Sequence, residues 1–166
     1  MNAVVPSRWA SAYWNRNFYL IETFSGYGMA GRDPAGKQHT LQQDATADDL
    51  GAAVLDAMGH SRFLSLDEAK DFFDYKKMQE QYAAWIEDLM KQHGYKTKRA
   101  LFKDMARCNI SLTVGDSQMT ISPSHHDRLE SWSRVKDDGI EDVVIPSDST
   151  PEVVGQALLL GFSRCT

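Results

Sequence analysis

The residues of this chain that most suggest chemistry form a histidine-rich patch: His125, His126 and Asp127, with Glu130 close behind. On a helix, His126 and Glu130 would lie four positions apart on one face, where they could hold a metal ion. One hypothesis is therefore a metal-dependent hydrolase built on this patch. A structural interpretation competes with it, because the preceding Pro-Ser pair marks a turn and a helix start. There Ser124 would cap the helix and Asp127 would meet its dipole.

The two cysteines, Cys108 and Cys165, are far apart in the sequence and lie outside any Cys-x-x-Cys motif. This pattern is typical of an intracellular protein with free thiols and not of a disulfide scaffold. The adjacent Arg107 could lower the pKa of the Cys108 thiol, but the alternation into Ile110 and Leu112 predicts a position at a strand edge. We therefore expect both cysteines to be inert packing residues. No Gly-x-Ser-x-Gly motif offers a serine nucleophile instead.

A basic segment, residues 95–103, combines lysines and an arginine with Tyr95 and Phe102. Its cations could bind phosphates and its aromatic rings could stack on bases, which gives the hypothesis of an RNA-binding module. The alternative is a solvated, lysine-rich face that follows a helix. The whole chain carries 18 Lys and Arg against 23 Asp and Glu, a net charge of −5 that argues against a general nucleic-acid binder.

The secondary-structure elements that position these groups are easiest to predict where hydrophobic residues recur at helical spacing. Residues 75–93 carry a stripe that includes Tyr75, Met78, Tyr82 and Trp85, and the run closes at His93-Gly94, a natural C-terminal cap. The pattern predicts a helix. We interpret its Met and aromatic stripe as a buried helix face, with a ligand groove as the alternative.

Two further helices are predicted from their caps. Thr46 is a good N-cap ahead of a helix that ends at Gly59, and its first turn is acidic. Ser149 and Glu152 have capping-box spacing at the start of the last helix. The stretches 51–55 and 155–159 are similar, which indicates two similar amphipathic helices and not a repeat.

Strand signals lie between these helices. Residues 13–24 are rich in aromatic and β-branched side chains and predict one strand, while the glycine-rich residues 25–39 predict a loop. Residues 109–114 and 118–121 flank Gly-Asp-Ser and predict a hairpin. A further short strand is expected at 143–146.

Length and composition fit one domain spanning residues 1–166, since 42% of the residues are hydrophobic and 25% are charged. The order of elements predicts an α+β fold, a single domain with a mainly antiparallel sheet packed against several α-helices. The N-terminus lacks the apolar segment of a signal peptide, and no apolar run approaches the length of a membrane span. We therefore expect a cytoplasmic protein.

Four sequence segments, in this order along the chain, resemble those of a known family. The first two are residues 50–55 running into Ser61-Arg62-Phe63-Leu64, and residues 95–103. The third is Pro123 followed by residues 126–132, and the fourth is Val144-Ile145-Pro146 leading to Gly155 and Ser163-Arg164-Cys165. Together they resemble the contact-dependent growth inhibition (CDI) immunity proteins of the CdiI family, over roughly residues 13–165.

The resemblance implies a small cytoplasmic bacterial protein that binds the C-terminal toxin domain of its cognate CdiA effector as a 1:1 heterodimer. It would block the active site of that domain, and it would have no catalytic residues, no cofactor, no nucleic-acid partner and no membrane partner. Toxins of such systems are often nucleases, and an RNase is the narrower expectation. A nuclease has a positive cleft, which an acidic inhibitor could cover with carboxylates in place of phosphates.

Acidic residues are therefore the predicted partner contacts. The first set surrounds Gly139 and consists of Asp137, Asp138, Glu141 and Asp142. The second set consists of Asp67 and Glu68. The alternative for the first set is an ordinary solvated loop. We expect reversal of the charges of Asp138 and Glu141 to leave the fold intact.

Overall fold

The computed structural model describes residues 4–166, in which nine strands and five helices follow one another along the chain. The strands are β1 (Ser7–Trp14), β2 (Phe18–Gly26), β3 (Ala30–Arg32), β4 (Gln38–Gln42), β5 (Ala106–Thr113), β6 (Gln118–Pro123), β7 (His125–Arg128), β8 (Ser131–Ser133) and β9 (Val143–Pro146). The helices are α1 (Ala47–Gly59), α2 (Leu66–Phe72), α3 (Tyr75–His93), α4 (Lys98–Phe102) and α5 (Pro151–Arg164). None of the helices within residues 4–166 is long and apolar enough to cross a membrane.

Seven of the strands form the main sheet, in the order β3-β2-β1-β5-β6-β9. The seventh strand, β4, pairs with the same edge of β2 as β3 does: β3 pairs with the C-terminal end of β2 and β4 with its N-terminal half. Every pair of neighbouring strands is antiparallel. Strands β7 and β8 form a separate hairpin. The predicted fold class, a single α+β domain with a mainly antiparallel sheet packed against several helices, is confirmed.

Helices α1 and α5 cover one face of the sheet. Their apolar residues, such as Leu50 and Leu158, pack against Ile21, Cys108 and Ile110 of the central strands. Because these strand side chains alternate in direction, the neighbouring residues of the same strands point to the opposite face.

Helices α3 and α4 cover only part of that opposite face. Trp85, Leu89 and Phe102 pack there against Tyr13 and Leu20, on the β1–β2 side of the sheet. All nine residues of β2 are buried, since this strand has helices on both faces. Further along the sheet, Asn109 of β5 and Val144 of β9 are exposed, so this part of the face is open.

Several elements agree with the sequence predictions. Helix α1 begins after Thr46, whose side chain forms a reciprocal capping box with Asp49. Helix α3 ends at His93, and Gly94 adopts the left-handed cap conformation with a φ of 75°. The hairpin of β5 and β6 and the strand β9 are also present.

The single strand predicted over residues 13–24 is wrong. The chain turns at residues 15–17 between β1 and β2, and Arg16 has a φ of 78°. The side-chain oxygen of Asn15 accepts hydrogen bonds from the backbone N–H groups of Asn17 and Phe18, which stabilises the turn. The turn contains no glycine or proline. Because aromatic residues flank it on both sides, the pattern predicted one continuous strand.

Three other predictions also need correction. The segment 25–39 is not all loop, because it contains β3 and the start of β4. Cys108 does not lie at a sheet edge, because β5 is paired with both β1 and β6. The last helix is capped by Thr150, whose side chain accepts from the N–H of Val153, while the Ser149 hydroxyl donates to the carbonyl of Pro146.

Candidate functional site

A groove of about 600 Å³ lies between helix α3 and the strands β2 to β4. Its polar floor contains Glu22 and Arg32, and α3 contributes Trp85, Tyr82 and Met78 to its wall. Cavities of this size, mainly apolar with a few fixed polar groups, are typical of binding sites.

The floor of the groove is organised around Glu22, whose side chain is only 2% exposed. One carboxylate oxygen accepts hydrogen bonds from Trp85 Nε1 and Gln38 Nε2, and the other accepts from Arg32 Nε at 2.7 Å. The Arg32 guanidinium stacks 3.5 Å from the Trp85 ring and donates to the Tyr13 hydroxyl. A buried charge with this many partners holds its neighbours in one arrangement.

The mouth of the groove is apolar and open. Tyr75 is 75% exposed and Met78 is 40% exposed, although both belong to the stripe that predicted a buried helix face. That prediction is correct for Trp85 and Leu89, which are buried, and wrong for the first turn of α3. Exposed apolar side chains beside a cavity are a common feature of surfaces that bind another molecule.

Tyr82 links the groove to the β7–β8 hairpin. Its hydroxyl donates a 2.9 Å hydrogen bond to the Glu130 carboxylate. Burial and this hydrogen bond raise the pKa of Tyr82 above its ordinary value. The hydroxyl is therefore a neutral donor at physiological pH, with its proton directed at Glu130.

The predicted acidic loop, residues 137–142, is organised by Arg134. Its guanidinium contacts the Asp138 and Asp142 carboxylates, each at 2.8 Å. The Asp138 carboxylate also accepts from the backbone N–H groups of Val135 and Ile140. The Arg134 and Ile140 hydrogen bonds lower the pKa of Asp138 to about 2.

The four acids of this loop are therefore not equivalent. Asp138 and Asp142 are paired internally, and the Asp138 side chain is only 12% exposed. Within residues 4–166, the carboxylates of Asp137 and Glu141 have no hydrogen-bond or ion-pair partner, and Asp137 adopts a left-handed φ of 60°. These two side chains are free to reach a partner.

The second acidic set lies elsewhere. Asp67 and Glu68 occupy the first turn of α2, where Glu68 completes a capping box with Ser65. Phe73, at the end of this helix, lies beside Gly31 of β3, at one edge of the sheet. The loop 137–142 leads into β9 at the other edge, five strand spacings or roughly 24 Å away. The structure does not bring the two acidic sets together.

The helix predicted after Ser124 is wrong, because His125 and His126 lie on strand β7. The His126 ring stacks on Trp132 at 5.0 Å, and its Nε2 atom lies 2.9 Å from the carbonyl of Leu129. The His125 ring contacts the Thr166 hydroxyl instead. Both imidazoles thus have structural partners.

The remaining members of the histidine-rich patch do not complete a metal site. Asp127 is exposed, and Glu130 is bound to Tyr82 and lies 3.9 Å from Lys98 Nζ. Within residues 4–166, no three histidine, cysteine or acidic side chains are close enough to hold a metal ion. The spacing argument for a metal-dependent hydrolase depended on a helix that the chain does not form here.

The basic segment 95–103 contains the short helix α4, which the sequence pattern did not predict. Leu101 and Phe102 are fully buried in the core, and the Tyr95 hydroxyl accepts from the side-chain amides of Asn15 and Asn17. The aromatic side chains are therefore engaged in packing and turn stabilisation. They are not available to stack on bases, as the RNA-binding hypothesis requires.

The two cysteines, distant in sequence, are neighbours in space. Their sulfur atoms are 3.7 Å apart, and both thiols are free. The hydrogen bond from Cys108 lowers the pKa of the Cys165 thiol to about 7. The same contact and burial raise the pKa of Cys108.

The groove was not predictable from the sequence pattern because its polar floor comes from two strands. A signal was present: Glu22 is the only charged residue in the mainly apolar and aromatic strand β2. A single carboxylate in such a strand needs buried donors. Its main partner, Arg32, lies in the segment that was interpreted as a loop.

Comparisons with known proteins give consistent matches over the whole chain. The family model described as CdiI, CDI immunity protein, matches residues 8–165. Immunity protein CdiI-YPIII of Yersinia pseudotuberculosis serotype O:3 (strain YPIII) is 39% identical over 177 aligned positions, which cover 99% of each chain.

Two solved structures have the same fold. A chain of the CdiA-CT/CdiI toxin and immunity complex from Yersinia pseudotuberculosis superposes with a TM-score of 0.90 at 38% identity, covering 98% of this chain and 99% of that one. A protein of unknown function from Neisseria meningitidis gives a TM-score of 0.90 at 36% identity, covering 100% of this chain and 99% of that one.

Proposed function

Since the chain belongs to the CdiI family of CDI immunity proteins, we propose that it binds and neutralises the C-terminal toxin domain of a cognate CdiA effector. The observation that carries this proposal is the match, over nearly the full length of both chains, to a chain of a CdiA-CT/CdiI toxin and immunity complex. We propose a 1:1 complex that forms in the cytoplasm and covers the toxin active site. The protein contributes no catalytic residue and no cofactor.

The toxin is proposed to be a nuclease, and an RNase is the narrower form of that proposal. It is supported by charge: this chain has a net charge of −5, while a nuclease cleft that binds phosphates is positive. Carboxylates on the immunity protein would then take the place of phosphates in the cleft.

The two acidic sets remain the proposed contact residues. Within the first set, the geometry favours the acids whose carboxylates are free. Asp137 and Glu141 have free carboxylates, while Asp138 and Asp142 shape the loop through Arg134. Asp67 and Glu68 are the second set, at the opposite edge of the sheet. We propose the exposed Tyr75 at the groove mouth as an additional, apolar contact.

The experiment is a titration of the purified cognate toxin domain with this protein. We expect binding at a 1:1 ratio with a submicromolar Kd, and loss of toxin cleavage of RNA or DNA at the same ratio. Binding without inhibition would contradict occlusion of the active site. No binding at micromolar concentrations would overturn the proposed function, and inhibition of a toxin that cleaves neither nucleic acid would overturn only the nuclease proposal.

A further inference from the structure

Arg107 lies on the sheet face away from α1 and α5, beside the open part of that face where Asn109 is exposed. It directly opposes Tyr13 in the pairing of β5 with β1, and Asn109 opposes Ser11 two positions along. Residues two positions apart on a strand share a face, so Arg107 and Asn109 project from the same side of β5. Asn109 is exposed and Arg107 is partly buried.

The Arg107 side chain is held in place without a carboxylate. Its Nε atom donates a 2.9 Å hydrogen bond to the Ser11 hydroxyl, and its guanidinium carbon lies 5.2 Å from the Tyr13 ring and 5.3 Å from the Phe24 ring. Within residues 4–166, no acidic side chain lies at ion-pair distance, and the two terminal nitrogens have no hydrogen-bond partner. By contrast, Arg32 and Arg134 are both paired with carboxylates.

The hydrogen-bond chain around Arg107 leaves several donors unused. The Ser11 hydroxyl accepts from Arg107 and donates to the Asn109 side-chain oxygen at 3.2 Å. This assignment leaves the Asn109 amide NH₂ group, like the two terminal nitrogens of Arg107, without an acceptor. Because these unused donors surround a guanidinium cation, the cluster favours an anion.

We propose that Arg107 and Asn109 form a docking point for a carboxylate side chain of the toxin domain. This inference rests on the proposed function for the identity of the partner. A carboxylate fits better than a nucleic-acid phosphate, because this cluster holds one uncompensated cation in a chain of net charge −5, which repels a polyanion. The planar guanidinium fork matches a carboxylate in two-point geometry.

The test compares the Kd of the purified toxin domain for the unaltered protein and for three variants. Arg107→Gln removes the charge, and we expect the Kd to rise about tenfold or more, as for loss of a charged hydrogen bond. Asn109→Asp places a carboxylate of this chain beside Arg107, where it competes with the partner, and a similar rise is expected. The matched control is Arg128→Gln, an exposed arginine on β7 that should change the Kd by less than about twofold.

Arg107→Lys keeps the positive charge but removes the planar guanidinium that binds a carboxylate at two points. We expect a smaller rise in the Kd than for Arg107→Gln. Thermal unfolding of each variant identifies any that is not folded, and Asn109→Asp alters only an exposed side chain. Kd values within twofold of the unaltered protein for folded Arg107→Gln and Asn109→Asp would overturn this inference and leave the proposed function standing. Failure of the unaltered protein to bind the toxin would overturn both.

Discussion

Gly51 of α1 and Gly155 of α5 meet at the point where these two helices cross. A Cβ atom on Gly51 would lie 1.6 Å from the carbonyl oxygen of Pro151, and one on Gly155 would lie 1.7 Å from that of Ala47. The two backbones are thus in direct contact. The similar stretches 51–55 and 155–159 each place a glycine at this crossing, which gives their likeness a physical reason.

We expect Gly51→Ala and Gly155→Ala each to lower the free energy of unfolding by about 2–3 kcal/mol, because a methyl group meets backbone that cannot yield without separating the helices. Gly59→Ala is the matched control, since a Cβ there meets nothing within 4 Å. Urea denaturation measures all three. A loss below about 0.5 kcal/mol for Gly51→Ala would contradict the close crossing.

The parts of the fold that the sequence predicted are those fixed by local chemistry. The Thr46 cap, the Gly94 cap and the β5–β6 turn each depend on a few adjacent residues, whose preferences act within one turn. The turn at residues 15–17 and the hairpin of β7 and β8 depend in addition on partners distant in sequence. Asn15, for example, donates to the Tyr95 hydroxyl 80 positions away, and the His125 ring contacts the Thr166 hydroxyl 41 positions away.

The candidate site was predictable only in part for the same reason. The acidic loop was visible because its charge is concentrated in six residues, but its internal pairing with Arg134 was not. The groove combines Glu22 and Arg32 with Trp85, which is 63 positions away from Glu22 in the sequence. No local sequence pattern predicts such a contact.

Because of the Asp138 carboxylate, the stability of the folded protein should depend on pH below about pH 4. Its pKa is lowered to about 2 in the folded protein from an ordinary 3.8, so its contribution is complete above about pH 4 and is lost as the pH falls towards 2. We expect Asp138→Asn to lower the Tm at pH 6, and the difference from the unaltered protein to shrink between pH 4 and pH 2. Asp137→Asn, which breaks no contact of this kind, should show no such trend. A Tm difference for Asp138→Asn that is independent of pH would contradict this role.

Removal of the buried charge on the groove floor should be costly. We expect Glu22→Gln to lower the free energy of unfolding by about 2–4 kcal/mol, because Arg32 loses its carboxylate in a partly buried site. Lys77→Gln, which breaks the exposed ion pair with Asp71, should cost less than about 0.5 kcal/mol. Chemical denaturation of both variants checks this, and equal costs would show that burial does not set the strength of the Glu22 pair.

The two thiols should differ in reactivity. With a pKa of about 7, Cys165 should be alkylated by iodoacetamide at a rate that rises through pH 7, while the buried Cys108 stays unmodified in the folded protein. Cys108→Ala removes the hydrogen bond that lowers the pKa of Cys165, so the midpoint of its pH–rate profile should move upward. Peptide mapping by mass spectrometry identifies the modified residue. Faster labelling of Cys108, or an unchanged midpoint in Cys108→Ala, would contradict the assignment.

The free acids of the loop 137–142 should steer the encounter with a basic partner. The structure changes the choice of variant, because Asp138 holds the loop through Arg134 and its replacement would alter the shape of the loop. Asp137→Asn combined with Glu141→Lys is the better probe, since asparagine tolerates the left-handed φ of 60° at position 137. We expect the association rate with the toxin domain to fall several-fold at low salt, with a flatter dependence on ionic strength.

The matched control is Asp104→Asn combined with Glu80→Lys, which makes the same change in net charge at exposed positions outside the loop. Stopped-flow association rates at several salt concentrations compare the two pairs. Equal slowing by both pairs would mean that net charge alone acts, since long-range steering depends on the summed charge and close contacts depend on position. An unchanged rate for the loop variant would move the contact to the opposite edge of the sheet, where Asp67 and Glu68 lie.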